Sequence, residues 1–247
     1  MIFRDSFDII FKGKNKILVV MAHPDDTELY AGGTVARLIE SGKEVRVIKT
    51  TLGNKGNRQQ KISEKELGEI RLKEDRSAMK VFGIKEENNI YLNFPDGGVE
   101  HNLESIGQVA KQIRLFKPEL IITHNPEHKI IRFAKDVNWV NHRDHLNTGN
   151  IAIDAAYPYS RDLLFFPEHF QDKNVASHAC TEFLLVDFYE HPDLVHIDVT
   201  DQLEIRIKAH ASHSSQYSLQ QAKDSADFFT KNYTPRRYEC FRYVIAD

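Results

Sequence analysis

The chain has 247 residues, 41% of them hydrophobic, with 33 basic against 36 acidic side chains and a formal net charge of -3. That length supports one sizeable α/β core, and the near-balanced charge argues against nucleic acid or an anionic membrane as the main partner. Two cysteines, Cys180 and Cys240, make neither a disulfide framework nor a paired thiolate zinc site, and no apolar run approaches the roughly 18 residues of a membrane span.

The first sixteen residues carry acids and lysines within their apolar stretch and no small-residue cleavage pattern, so they do not read as a signal peptide, and a cytoplasmic protein is expected. Lys16 to Met21 is an apolar, β-branched-rich run expected to be a buried strand. After it, Leu29, Val35, Leu38 and Ile39 recur at helical spacing until Gly42. Glu44 to Thr51 reads as the second strand and runs into a glycine-containing loop through 60. Glu64 to Phe82 is a helix striped by Leu67, Ile70 and Met79, and Ile90 to Leu92 is a short strand before FPDGG. Leu103 to Phe116 is helical, Leu120 to Thr123 is a strand, and His142 to Tyr157 is helical again. Phe183 to Val186, Val195 to Val199 and Cys240 to Ile245 read as strands, with a helix over Glu204 to His213.

Strands alternating with helices predict a Rossmann-like, doubly wound, mostly parallel sheet with helices on both faces, read as a single domain over 1–247. Such sheets wind outward from the first strand, so the first and fourth strands are expected to be neighbours at the switch point. Ligands bind at the carboxyl ends of strands in this architecture.

That edge is where the chain concentrates its chemistry. Ala22 to Gly33 reads AHPDDTELYAGG and sets one imidazole and two adjacent carboxylates, His23, Asp25 and Asp26, where the first strand passes into the first helix. Asn141 to His145 reads NHRDH, and His142 and His145, three apart, face the same way from a helix. A catalytic zinc takes three protein ligands and leaves a position for water, and a His, Asp, His set suits it. The same donors also accept ferrous iron or cobalt. The spacing of a dinucleotide fingerprint is absent around Gly32 and Gly33, which disfavours a bound nucleotide, and no glycine-rich loop or DFG accompanies HRD, which excludes a kinase.

With these motifs the chain resembles the PIG-L/LmbE family of zinc-dependent deacetylases. The family's AHPDDE followed by GG stands here as AHPDDTELYAGG, with Thr27 in place of the first acid and Glu28 next. HPDH stands as HRDH, with Arg143 for proline. ELxxIRxxE is matched from Glu66 to Glu74, and HxSQ by His213 to Gln216. The resemblance implies His23, Asp26 and His145 as metal ligands, Asp25 as general base, His142 as a non-coordinating helper, and Asp144 as the group orienting His142. It points to Arg71 and Asp96 as partners of sugar hydroxyls. Charged residues hydrogen-bond hydroxyls strongly, but Arg71 equally suits an ion pair with Glu74 or Asp75.

The expected activity is removal of acetyl from an N-acetylglucosamine-type amino sugar or glycoconjugate. Zinc lowers the pKa of its water to about 7, a free Asp25 takes the remaining proton during attack on the amide, and a protonated His142 stabilises the oxyanion. Alternatives are an amidase for a larger acyl group and a non-catalytic sugar-binding module of the same fold. The expected partner is a small-molecule amino sugar, and a homo-oligomer is compatible with the sequence. Asn125 to Asn141 is a long connection, expected to shape the acceptor side of the pocket with Phe133 or Trp139 against the sugar. His213 and Gln216 suit either the site or the core, and the other histidines, His124 among them, are assigned to structure.

Overall fold

A computed structural model of the chain describes residues 4–57, 61–134, 136–186, 189 and 191–246. Positions 1–3 of the N-terminal stretch, 58–60 of the glycine-containing loop and 135 of the long connection lie outside the described residues.

A short helix α1 (Phe7–Phe11) precedes β1 (Lys16–Met21), and α2 (Asp26–Glu40) leads to β2 (Glu44–Thr51). Helix α3 (Glu64–Phe82) opens with a capping box between Ser63 and Glu66, which satisfies amides that the first helical turn leaves without partners. Then come β3 (Asn89–Phe94), α4 (Leu103–Phe116) and β4 (Leu120–Thr123). A two-stranded hairpin, β5 (Ile130–Ala134) and β6 (Val137–Val140), occupies the long connection before α5 (Arg143–Asp154). Strands β7 (Glu182–Leu185) and β8 (Leu194–Asp198), helices α6 (Leu203–His210) and α7 (Leu219–Phe229), and strands β9 (Lys231–Tyr233) and β10 (Arg236–Ile245) complete the chain.

The central sheet runs β3-β2-β1-β4-β7-β10-β8, with β9 paired to β10. Every pairing from β3 to β7 is parallel, and only those made by β10 are antiparallel. Strand β1 lies between β2 and β4, so the switch point falls where the sequence places it. Alternation along β1 splits the core: Ile17, Val19 and Met21 pack with α1, α2 and α3 on one face, whereas Leu18 and Val20 pack with α4 and α5 on the other.

The helix expected over His142 to Tyr157 ends its regular winding at Asp154, and residues 155–159 form a wider turn containing Pro158. Proline removes a backbone donor and clashes with the carbonyl four residues before it, so the α-helical ladder stops there. Helix α5 meets the end of β4 closely because residue 149 is glycine; a Cβ there would stand 2.5 Å from the His124 carbonyl oxygen. That approach brings HRDH to the carboxyl edge of the sheet. Among the described residues no helix is long and apolar enough to cross a membrane.

Candidate metal centre

Three strand ends supply the site. The turn after β1 carries His23, Asp25 and Asp26, the loop after β3 carries Asp96, and β4 runs directly into His124. Helix α5 adds His142 as its N-cap, with Asp144 and His145 in its first turn.

His23, Asp26 and His145, 122 positions apart at their extremes, meet at one point. His23 Nδ1 lies 3.3 Å from Asp26 Oδ2 and 3.3 Å from His145 Nε2, and His145 Nε2 lies 3.4 Å from Asp26 Oδ1. Tetrahedral donors about 2.0–2.1 Å from one zinc are about 3.3 Å apart, so the donor set fits a shared cation in both chemistry and spacing. Both imidazoles direct lone-pair nitrogens at the same carboxylate, an arrangement that favours positive charge between them. Burial works against a charge on His23, yet hydrogen bonds to Asp144, Asp26 and Asp96 outweigh it and raise its pKa well above the ordinary value. His145 is pushed down to about 4, chiefly by burial and then by His124. For Asp26, burial is overcome by the surrounding imidazoles, His145 foremost, and its pKa falls well below the usual range.

The opposite edge of His23 is held from outside. Its Nε2 stands 3.3 Å from Asp144 Oδ2 and 3.3 Å from Asp96 Oδ1. Asp144 is fully buried and also accepts the amides of Gly97 and Val99, at 2.7 and 3.1 Å. Its carboxylate is therefore turned to His23, and its link to His142 runs through the backbone: the Asp144 amide donates to His142 Nδ1 at 3.1 Å, while the two side chains stand 3.8 Å apart. With Nδ1 accepting, the His142 proton resides on Nε2. Burial and then the charge of His23 lower the His142 pKa, which favours an uncharged ring presenting an N–H over the protonated ring expected from the sequence. Its side chain remains 48% exposed, the open member of the cluster.

Asp25 sits in the left-handed region at φ 98, unusual for a residue with a Cβ, and its side chain caps no amide of α2. Burial raises its pKa to about 6 although the Arg71 guanidinium pulls the other way. Arg71 is buried; it donates to Asp25 Oδ2 at 3.0 Å, to the Pro24 carbonyl at 2.5 Å and to the Gly53 carbonyl at 2.6 Å. Gly53, at φ +61, permits that approach, since a Cβ there would lie 2.1 Å from Arg71 Nη1. The arginine thus meets neither Glu74 nor Asp75 as its ion-pair partner. Asp96 accepts the Lys55 amide at 2.7 Å. Burial favours its neutral form, but the His23 hydrogen bond and that amide outweigh it and hold the pKa at about 2.

The HSSQ segment lies behind the cluster. His213 Nε2 contacts Glu28 Oε1 at 3.1 Å with both side chains fully buried, and Glu74 binds the Ser214 hydroxyl and both the amide and hydroxyl of Ser215. Gln216 reaches Ser215. Two contributors escaped the sequence reading. His124 stacks on His145 at 4.0 Å, lies 3.3 Å from Asp26, and receives the Ala22 amide at Nε2. That donor occupies the lone pair a metal would need, so His124 supports the cluster from its flank. Its place directly after β4, beside the β1 turn, was the available signal. The second is Tyr217, whose phenol pKa is raised first by the charge of Asp25 and then by burial.

Phe133 and Trp139 of the hairpin pack away from this cluster. Phe133 stacks on Phe228 at 4.2 Å, and Trp139 adjoins Tyr189 and Phe229. Tyr30 links Phe229 to His124 and His145.

The chain is similar to known de-N-acetylases. The family model PIG-L, GlcNAc-PI de-N-acetylase, matches residues 18–156. The chain is 25% identical over 208 residues to the diacetylchitobiose deacetylase of Thermococcus kodakarensis, covering 84% of this chain and 72% of that protein. It is 25% identical over 245 residues to the 1D-myo-inositol 2-acetamido-2-deoxy-alpha-D-glucopyranoside deacetylase of Mycobacterium sp. (strain JLS), covering 83% and 75%. The solved N,N'-diacetylchitobiose deacetylase of Pyrococcus horikoshii superposes with a TM-score of 0.81 at 25% identity, over 97% of this chain and 87% of that one.

Proposed function

The chain belongs to the PIG-L family of de-N-acetylases, and from that premise we propose that it hydrolyses the acetyl amide of an N-acetylglucosamine-type sugar, with one divalent cation held by His23, Asp26 and His145. The carrying observation is the convergence of those three donor groups, 3.3–3.4 Å apart. A cation bound there, zinc or with the same donors ferrous iron or cobalt, supplies Lewis acidity to the amide carbonyl and acidity to water.

The chain's own residues account for the proton movements. Asp25, with its pKa near neutrality at about 6, accepts a proton from the attacking water and returns it to the leaving amine nitrogen, giving acetate and a free amino sugar. His142 donates its Nε2 hydrogen to the oxygen that gains negative charge. Asp144 and Asp96 hold His23 in orientation from its far edge, as outer carboxylates do for metal-ligating imidazoles. Arg71 hydrogen-bonds Asp25 and the Pro24 and Gly53 carbonyls, and Asp96 adjoins His23 and accepts the Lys55 amide, so both support the reacting groups beside any contact with sugar hydroxyls. The reading takes 1–247 as one domain in a reducing cytoplasmic compartment, in keeping with two buried free cysteines.

Primary-amine release from N-acetylglucosamine and N,N'-diacetylchitobiose, with the released acid identified, tests the reading. Equimolar acetate and amine, lost on chelation and restored by zinc, are expected. Release of only a bulkier acid from acyl-glucosamine conjugates would establish the amidase, and sugar binding without release would establish the non-catalytic module.

A further inference from the structure

The paired glycines that close the AHPDDTELYAGG segment, Gly32 and Gly33, lie in the middle of α2, and nothing above uses them. The Gly33 and Thr34 amides donate there to the two carboxylate oxygens of Glu239 on β10, at 2.8 and 2.7 Å. In an unbroken α-helix those amides serve the carbonyls four residues before them. The Leu29 carbonyl, the regular acceptor for Gly33, receives Arg206 Nη2 from α6 at 2.6 Å, and the Glu28 carbonyl receives Arg206 Nε at 2.9 Å. Arg206 and Glu239 are both buried, and Nε stands 3.3 Å from Oε1. One ion pair is thus inserted in the hydrogen-bond ladder of α2, its cation on the carbonyl side and its anion on the amide side. The glycines make the room: a Cβ would stand 2.9 Å from Arg206 Cγ at residue 32 and 2.6 Å from Val199 Cβ at residue 33.

Helices change direction where side chains enter the ladder in this way. The two ends of α2 have different tasks on either side of the insertion. The N-terminal end brings Asp26 to His23 and His145, Glu28 to His213 and Tyr30 to His145, whereas Val35 and Leu38 beyond it pack in the core. A reacting constellation tolerates only about 0.5 Å of drift in its groups. We propose that Arg206 and Glu239 are positioning residues for the metal centre: inserted in α2, they set the direction of its first turn and through it the place of the Asp26 carboxylate between His23 and His145. The pair acts through the α2 backbone, and its role rests on the function proposed above.

The double variant Arg206→Met/Glu239→Leu removes both charges together, so neither is left buried alone, and it returns the Leu29 carbonyl and the Gly33 amide to each other. It is expected to keep a cooperative melt and to lose zinc affinity about tenfold to a hundredfold in competition with a chromophoric chelator, as loss of the outer partners of a metal ligand does. The visible absorption of the cobalt-loaded protein, which reports coordination geometry, is expected to change with it. If the double variant does not fold, Glu239→Gln, which leaves one α2 amide without its acceptor, decides by the same two measurements. Zinc affinity and cobalt spectrum as in the wild type, in the folded variant, would overturn the proposal. So would an equal change in Arg114→Met, where a buried arginine is lost from α4 on the other face of the sheet. Zinc binding that survives His145→Ala undiminished would instead overturn the metal centre itself.

Discussion

His23 Nε2 lies 3.3 Å from the Asp144 carboxylate, while His23 Nδ1 faces Asp26 and His145 on the other side of the ring. One imidazole thus has an inner edge offered to a cation and an outer edge held by a buried acid.

Asp144→Ala is accordingly expected to weaken zinc binding by about tenfold to a hundredfold, the usual effect of losing an outer carboxylate. It also leaves the amides of Gly97 and Val99 without their acceptor, which costs about 1–3 kcal/mol each if they stay dry. Competition with a chromophoric chelator measures the first effect and denaturant unfolding the second. Unchanged zinc affinity would remove Asp144 from the centre.

Arg114 is fully buried on α4 and donates to the carbonyls of Tyr159, Ser160, Asp162, Phe165 and Phe166. One guanidinium therefore organises the irregular stretch after α5. Arg114→Met is expected to cost at least about 3 kcal/mol, because several buried carbonyls lose their partner together. Proteolytic cleavage should appear between 158 and 172 before global unfolding. Cleavage elsewhere first would contradict that role.

His213 and Glu28 form a buried pair whose stability contribution depends on pH. Burial opposes charge on His213, but Glu28 outweighs it and raises the folded-state pKa above 6.5. A raised histidine pKa stabilises fully below the unfolded value, and that gain is lost as pH rises through the folded value. The wild-type advantage over the uncharged double variant Glu28→Gln/His213→Gln should be greatest near pH 6 and shrink above it. Urea midpoints across pH 6–9 check this, and an advantage that grew with pH would contradict it.

Most of the parallel half was legible in the sequence because its signals are local. The apolar run Lys16 to Met21, the stripe of Glu64 to Phe82 and the Leu120 to Thr123 run before HNP each coincide with an observed element. Helix α7 was missed although Ser218 and Gln221 form a capping box, since its buried positions are the alanines 222 and 226, which carry little hydrophobic signal. The hairpin β5–β6 was read as a loop; its aromatic residues find their partners on α7, nearly a hundred residues later. In the site, the meeting of His23, Asp26 and His145 was readable from motif and switch point together. The turn of Asp144 toward His23 was not, because that contact spans 121 positions and no spacing rule encodes it.

The hairpin supplies another prediction. Phe133 and Trp139 anchor it to α7, and Tyr30 carries the same aromatic packing to His145. Phe133→Ala should loosen the hairpin and raise KM for a disaccharide more than for N-acetylglucosamine, as expected if this segment borders the acceptor side. Equal changes for both sugars would detach the hairpin from acceptor recognition.

The most direct measurement is anomalous diffraction at the zinc edge from crystals of the loaded protein, paired with zinc content of His145→Ala. One ion contacted by His23, Asp26 and His145, and a metal content near zero in the variant, are the results this account predicts. An ion seated elsewhere, such as among Glu28, Asp75 and His213, or full zinc content without His145, would contradict it.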